Sequence, residues 1–553
     1  MKNTYTLTAA SLAAACILGA AAPARADVVT DWNIVAGDMV VQARIGTPAA
    51  TRVMAIVQTA VHEAVGAAHV LHSGDAAPVA TAAAVAAANR ATLARLLPQQ
   101  EAAIAKAYQA ALARLGDSPA AAAGIAAGEH AAARVLAWRA DDGAAAAERY
   151  RPHAAPGAYV PTTAVAAPQW PQRKTWLMAQ ATQFRPAPPP AMSSPRWVRD
   201  YNEVKEAGSK ASRVRTADQT EVARFWEFSL PTIYHGVARS VALAPGRSVA
   251  QNARLFAAAT QAMDDAVISV MDAKYHYGFW RPVTAIRNGD RDDNPATELE
   301  AGWAPFIDNP THPEYPSAHS ILASALGEVL KSEAGSAPMP ELVTSSPTAN
   351  NATRRWKSVD AFVQEVADAR VWEGIHFRFS TEVGVTMGRQ IGALAASRVA
   401  QSPAASAVPQ ALAPEGKFIE SIAARGTQVY ECRADAAAPA GASWVFVGPE
   451  AELFDSTGQR IGKHYGGPHW EAADGSRIVG AVKARSDAPQ AGAIPWLLLT
   501  ARSVGGEGRF SRVAGIQRVH TYGGAAPARS CTPAMAGQAE KVPYTADYLF
   551  YAS

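Results

Sequence analysis

Apolar side chains recur every three or four positions through residues 38–136, as in Met54-Ala-Ile-Val-Gln-Thr-Ala-Val-His62-Glu63-Ala-Val. That period predicts amphipathic helices in an alanine-rich body. Residues 137–215 lose the period: Pro152, Pro156, Pro161, Pro168 and Pro171 interrupt it, and four more prolines crowd 186–190. A long excursion across the surface of the body is expected there. Helical spacing returns at 218–242, 248–274, 320–333, 358–371 and 381–400. Small residues and prolines then fill 402–414, which reads as a linker. Beyond it the pattern shortens to Trp444-Val-Phe-Val447, Ala451-Glu-Leu-Phe454, Arg477-Ile-Val-Gly480 and Trp496-Leu-Leu-Leu499, with turn residues at 455–458, Asp474-Gly475 and Gly505-Gly506. Short strands so spaced predict a small β-sandwich or barrel.

The expected fold class is therefore a mainly α helical bundle followed by a small all-β domain. A chain of 553 residues exceeds one ordinary core, which agrees with two domains. The boundaries read as 1–26, 27–400 for the bundle, 401–417 for the linker and 418–553 for the β domain. The first segment has the order of an export signal: Lys2, an apolar stretch over 7–22, and the small-residue site Ala24-Arg25-Ala26. Cleavage after Ala26 and an exported, periplasmic or secreted address follow. No later stretch reaches the roughly 18 apolar residues that a stable membrane span needs. A net charge of +3 and the lack of a basic stripe with interleaved aromatics argue against nucleic acid as a partner. Cys16 leaves with the signal, so Cys432 and Cys531 remain. In an exported protein they most simply form one disulfide, the alternative being two free thiols.

Three clusters within about a hundred residues carry the chemistry: Lys274-Tyr-His-Tyr-Gly-Phe-Trp-Arg281-Pro282, Pro316-Ser317-Ala318-His319, and Arg370-Val-Trp-Glu-Gly-Ile-His376. Lys274 and Arg281 are seven apart, the spacing of one helical face, although Gly278 and Pro282 interrupt the run. Arg281 offers a planar fork for two oxygens and Lys274 a compact charge. A helix is expected to begin near Ser317, so an anion there would meet the Ser317 hydroxyl, the Ala318 amide and the helix dipole. His319, in the first turn, is placed as general acid or base. Gly374 lets the loop turn His376 back toward an anion held by Arg370, as metal ligand or as nucleophile. Each cluster alone has a plain explanation, a solvated helix face or an N-cap. Their conjunction fits a tetrahedral or trigonal-bipyramidal oxyanion such as phosphate or vanadate.

Other polar groups compete for attention. His62, His69 and His72 share a helical face but read better as surface or satisfied histidines. Asp264 and Asp265 are either partners of the site's cations or ordinary helix residues. The cluster Lys463-His464-Tyr465-Gly-Gly-Pro-His469-Trp470-Glu471 reads as a glycine-rich turn with structural aromatics rather than a ligand surface. Tyr275, Phe279, Trp280, Trp372 and Phe377 are candidates to line the site, most of them as core.

The three motifs together resemble the vanadium-dependent haloperoxidases and the related type 2 acid phosphatases (PAP2). The resemblance extends over residues 30–400 in helical character, with its motifs confined to 274–376. It implies a helical bundle with the site in its core and vanadate (orthovanadate) as cofactor. Lys274, Arg281 and Arg370 would bind the equatorial oxygens, with Ser317 and the Ala318 amide. His376 would be the axial vanadium ligand and His319 the acid–base residue, with Lys274 polarising bound peroxide. Hydrogen peroxide and a halide would be the substrates, and a small organic molecule the acceptor. The run His312-Pro-Glu-Tyr-Pro-Ser-Ala-His319 resembles bromoperoxidase-like members, in which a histidine at the place of His312 lies near the metal. In the phosphatase branch His376 would instead carry the phosphoryl group and His319 would protonate the leaving alcohol.

Two positions depart from the family pattern. Ala318 stands for a usual glycine. Ser380 stands for an aspartate four residues after the second histidine, which accepts the imidazole N–H. There Ser380 is expected to accept that hydrogen bond or to cap a helix starting at Thr381, unless another acceptor takes over. Separately, Gly426-Thr-Gln-Val-Tyr-Glu-Cys432, Ile494-Pro-Trp-Leu-Leu-Leu499 and Tyr544-Thr-Ala-Asp-Tyr548 resemble DUF3455, an exported β-domain family without assigned activity. Three functions stay open: a vanadate-dependent haloperoxidase with bromide favoured, a phosphatase at the same site, and a non-catalytic exported protein that binds an oxyanion or a surface.

Overall fold

The computed structural model describes residues 27–71, 76–401, 409–438, 440–455, 459–488 and 492–553. Residues 1–26, with the expected export signal, His72, residues 402–408 of the expected linker and residues 456–458 of an expected turn lie outside them, as does the side chain of His69.

Helices α1 (Val28–Gln42), α2 (Thr47–Leu71), α3 (Ala76–Leu96), α4 (Glu101–Leu115) and α5 (Pro119–Trp138) form the first half of the body. Small residues let them approach closely: a Cβ at Gly124 or Gly128 of α5 would lie 2.9 Å from Ala80 Cα or Ala87 Cβ of α3. The second half contains α6 (Pro195–Ala207), α7 (Ala217–Trp226), α8 (Thr232–Ala242), α9 (Val249–Tyr277), α10 (Pro282–Arg287), α11 (Ala318–Ala334), α12 (Val359–Trp372) and α13 (Arg378–Gln401). Helix α9 is the central post, packed on α2 from the first half and on α11 and α13 from the second. Glycines 384, 388 and 392 make one stripe along α13 that seats it on the backbone of α11. A Cβ at Gly384 would stand 2.7 Å from Ser317 O.

Three expectations need correction. The segment 218–242 is two helices, because Pro231 stops the first and serves as N-cap of the second. An antiparallel hairpin, β1 (Leu342–Ser346) and β2 (Ala352–Trp356), sits inside the helical body. The stretch 137–215 is not merely a surface excursion. Its helix α6 buries Trp197, Tyr201 and Val204 in a cluster with Phe279, Trp280, Trp303, Tyr315, Phe377 and Phe379. The Trp197 and Phe377 ring centroids are 4.8 Å apart. Arg173, from the same stretch, is buried against Asp264, with nitrogen–oxygen distances of 2.7 and 2.8 Å. Ion pairing and ring packing hold this segment down despite its prolines.

The C-terminal unit is the barrel alternative of the two β architectures. Eight antiparallel strands close in the order β10-β3-β4-β5-β6-β7-β8-β9. They are β3 (Lys417–Ala434), β4 (Ala442–Phe454), β5 (Arg460–Tyr465), β6 (His469–Ala472), β7 (Arg477–Ser486), β8 (Trp496–Ser503), β9 (Gly515–Gly523) and β10 (Ala539–Ala552). Closure leaves no unpaired sheet edge. Cys432 and Cys531 are disulfide-bonded, with Cα atoms 5.7 Å apart. His464 is buried, stacked on Trp470 at 4.2 Å, and bonded to His469 O, so these two rings of the polar-aromatic turn are part of the barrel's core.

Candidate functional site

Lys274 sits in the last turn of α9, which ends at Gly278 in the left-handed conformation with φ of 55°. The chain then turns, and Arg281 becomes the N-cap of α10, with Pro282 as first helical residue. The two cations therefore do not share a helical face. They converge because the chain reverses between them. Lys274 Nζ donates to Pro313 O at 2.9 Å and to Glu314 O at 2.8 Å. Arg281 Nη1 donates to Ile375 O at 2.8 Å, and Nη2 to His312 O at 3.0 Å. Arg281 Nη2 also stands 3.1 Å from His312 Nδ1.

Ser317 is the N-cap of α11. Its hydroxyl oxygen accepts from Ser320 Oγ at 3.0 Å, and its N–H donates to Ser380 O at 3.1 Å. Ala318 is half-buried and opens the helix; His319 follows in the first turn, with its Nε2 buried and without a hydrogen-bond partner. Arg370 lies in the last turn of α12 and donates from Nη1 to Trp226 O at 2.8 Å and to Glu373 Oε1 at 2.7 Å. His376 faces Arg281 Nη1 through Nε2 at 3.3 Å, and its Nδ1 is 2.7 Å from Glu314 Oε1.

The expected role of Ser380 needs correction. It neither accepts the His376 N–H nor caps the last helix, which begins at Arg378. Its hydroxyl donates to Glu314 Oε2 at 2.6 Å, and Glu314 is what His376 meets. Glu314 was missed as a site residue although it lies inside the run from His312 to His319. Its only signal was a carboxylate in a hydrophobic stretch between two motif residues. Glu373, inside the third cluster, was missed as the partner of Arg370. Asp264 and Asp265 do not reach the site: Asp264 pairs with Arg173, and Asp265 accepts the N–H groups of Trp176, Leu177 and Met178 at 2.7, 2.8 and 3.0 Å. Phe279, Trp280 and Phe377 belong to the aromatic cluster beside the site, while Tyr275 and Trp372 pack on the main core.

Burial shapes the electrostatics. It pushes the Lys274 amine well below its usual range, helped by the nearby Arg281 charge and opposed by Glu314. Burial lowers Arg281 to about 10, and together with the site's cations it holds His312, His319 and His376 well below the ordinary imidazole value. It pushes Glu314 up to about 7 and Glu373 up to about 8. Lys274, Arg281 and Arg370 thus face two carboxyls that are themselves reluctant to ionise. An anion would relieve this excess of positive charge. Polar groups remain for it: Arg370 Nε, a donor, and His319 Nε2, a donor or an acceptor according to its tautomer, are both buried without partners, and Lys274 when protonated keeps a third N–H. Among the described residues no group of three or more His, Cys, Asp or Glu is placed to hold a metal cation. Cations, a helix N-terminus and single imidazoles are instead the donor set of an oxyanion site.

Residues 254–404 match the VCPO second helical-bundle domain, and residues 413–552 match DUF3455, a family of unknown function. No curated protein matches the chain significantly. Among solved structures, a bacterial vanadium-dependent iodoperoxidase superposes with a TM-score of 0.56 at 23% identity, covering 66% of this chain and 96% of its own. A bacterial vanadium-dependent chloroperoxidase does so in its holo form at 0.55 and 19%, covering 65% and 93%. Its apo form gives 0.55 and 18%, covering 66% and 96%. Among the described residues no helix is long and apolar enough to cross a membrane. The chain thus joins a helical bundle, whose residues 254–404 match the VCPO second helical-bundle domain, to a β-barrel whose residues 413–552 match DUF3455.

Proposed function

We propose that the protein is a vanadate-dependent haloperoxidase that oxidises a halide, bromide in preference, with hydrogen peroxide, and delivers the product to a small organic acceptor. The observation that carries this reading is the buried cradle of Lys274, Arg281 and Arg370 around two imidazoles, with polar atoms still unpaired at Arg370 Nε and His319 Nε2. Vanadate held there would supply a Lewis-acidic centre that activates peroxide toward halide. Lys274, Arg281, Arg370, Ser317 and the Ala318 amide would hold its oxygens, and His376 Nε2 would hold its vanadium. His319, neutral at ordinary pH, would take or return a proton at Nε2. Lys274 keeps its amine fixed between two carbonyls, and when protonated it would offer its remaining N–H to the oxygens of the bound group. His312 borders the cradle through Arg281 and would be the residue that meets the halide. The Cys432–Cys531 bond supports an exported address for the mature chain, after cleavage at Ala26.

The test uses the mature chain reconstituted with orthovanadate, with bromination of an activated organic acceptor measured in the presence of peroxide and bromide. Phosphate release from an aryl phosphate is measured in parallel without vanadate. Bromination should appear and vanish in His376→Ala; bromination that survives this substitution overturns the reading. Phosphatase turnover inhibited by vanadate assigns the site to phosphomonoester hydrolysis, and silence in both assays leaves a non-catalytic oxyanion-binding protein.

A further inference from the structure

Glu314 lies at the meeting point of the three clusters. Its backbone carbonyl accepts from Lys274 Nζ at 2.8 Å, and its own N–H donates to Phe279 O at 2.9 Å. Its side chain is fully buried and spends both oxygens on the third cluster. Oε1 takes the Phe377 N–H at 3.0 Å and stands 2.7 Å from His376 Nδ1, while Oε2 takes the Ser380 hydroxyl at 2.6 Å.

The opposite edge of the His376 ring decides the proton's place. Arg281 is a donor with no acceptor capacity, and its Nη1 faces His376 Nε2 at 3.3 Å. Nε2 must therefore present a lone pair, which leaves the ring proton on Nδ1, directed at Glu314. We propose that Glu314 is the positioning residue of this site: it holds His376 in the Nδ1–H tautomer with the Nε2 lone pair turned toward the cradle, and Ser380 holds Glu314. The proposal deepens the haloperoxidase reading and, for its ligand role, rests on it. A carboxylate behind a ligating imidazole fixes the ring and raises its basicity, and losing such a partner typically weakens metal affinity roughly ten- to a hundredfold. The carboxylate comes from the segment before Ser317, so one residue couples the position of the α11 N-terminus to the orientation of the histidine. Lys274 joins that coupling through the Glu314 carbonyl.

The experiment has two independent readouts on the full chain. The first is ¹⁵N-histidine NMR without vanadate, with His376 assigned by loss of its signals in His376→Gln. Wild type should show a protonated Nδ1 and a bare Nε2 at neutral pH. Glu314→Leu should shift the population toward Nε2–H, and Ser380→Ala should move it in the same direction by less. A wild-type Nε2–H tautomer, or unchanged His376 shifts in Glu314→Leu, overturns the proposal. Should Glu314→Leu not fold, the wild-type tautomer and the Ser380→Ala shift still decide. The second readout is equilibrium dialysis against orthovanadate, which should weaken roughly ten- to a hundredfold in Glu314→Leu. A wild type that shows the expected tautomer yet binds no vanadate defeats the haloperoxidase reading and leaves the positioning role standing. Tight binding that survives Glu314→Leu defeats the ligand role of Glu314.

Discussion

Arg370 answers to two partners at once. Its Nη1 is tied to Trp226 O and Glu373, while its Nε is buried without a partner and free for an anion. Removing the guanidinium therefore has a structural cost beyond lost binding, because Glu373 stays fully buried without its cation. Arg370→Leu should lose roughly 1–3 kcal/mol in urea unfolding, because the protonated Glu373 is left without its hydrogen-bond partner, together with vanadate binding. Arg370→Leu combined with Glu373→Leu should regain most of the stability and none of the binding. A single variant as stable as wild type contradicts this account. Wild-type Glu373 also has a pH signature. Its folded value of about 8 lies above the ordinary carboxylate value, so the folded state holds its proton more tightly. The stabilising contribution is complete below about pH 4.5 and falls as pH rises toward 8, by up to about 1.4 kcal/mol per pH unit. Comparing wild type with Glu373→Gln over that range isolates the group. Neither Glu373 nor Glu314 could be assigned from their neighbours in sequence. His376 and Glu314 are 62 positions apart, and only the fold shows that the histidine's acceptor lies there rather than at Ser380.

At the scale of elements, the stripe of glycines on α13 sets where α11 begins, and so where Ser317 and His319 stand. A methyl at Gly384 would press on Ser317 O at 2.7 Å, whereas one at Gly392 would meet Glu328 Cβ at 2.8 Å, two turns from the site. Both substitutions overpack the same interface and should each cost roughly 1–3 kcal/mol in thermal or urea unfolding. Only Gly384→Ala should also weaken orthovanadate binding, and equal losses of affinity in both would refute the link. The long helices were readable because their apolar positions keep a 3.6-residue period against one core, and the barrel because its strands keep a period of two. The split at Pro231 was marked by the proline itself. The hairpin at 342–356 was not legible, since two five-residue strands give too few alternations to stand out from helical surroundings. The burial of 170–204 was missed for another reason. Proline-rich spacing hides a segment whose attachment depends on Arg173, Trp176 and Trp197 meeting partners 80 to 180 residues away, such as Asp264, Asp292 and Phe377.

On the scale of the whole molecule, the barrel is fastened to the bundle by a buried carboxylate. Asp547 of β10 has no solvent exposure and stands 2.8 Å from both His130 Nε2 of α5 and His520 Nδ1 of β9. Arg134 of α5 lies 3.6 Å from it and also pairs with Glu63 of α2, so the network reaches two helices and two strands. On the exposed rim of the same contact, Arg425 of β3 donates to Ala137 O at 3.2 Å and pairs with Asp141 at 2.6 Å, a link that solvent screening leaves weak. Burial alone would raise the Asp547 carboxyl, but the His130 charge and hydrogen bond, with His520 and Arg134, outweigh it and hold the group below its ordinary range. A folded value below the unfolded one, near 3.9, stabilises the docked state above about pH 4 and is lost as pH falls further. Asp547→Asn should therefore cost about 3 kcal/mol at pH 7, since His130, His520 and Arg134 lose their shared anion. The cost should shrink progressively as pH falls below about 4, where the unfolded chain takes up the proton and wild type loses the advantage of its charge. Calorimetry at pH 7 should show the barrel and bundle melting closer together in wild type than in the variant. If the variant instead melts as wild type does at pH 7, the carboxylate does not fasten the two domains, and the remaining contacts of α5 with β3 must hold them.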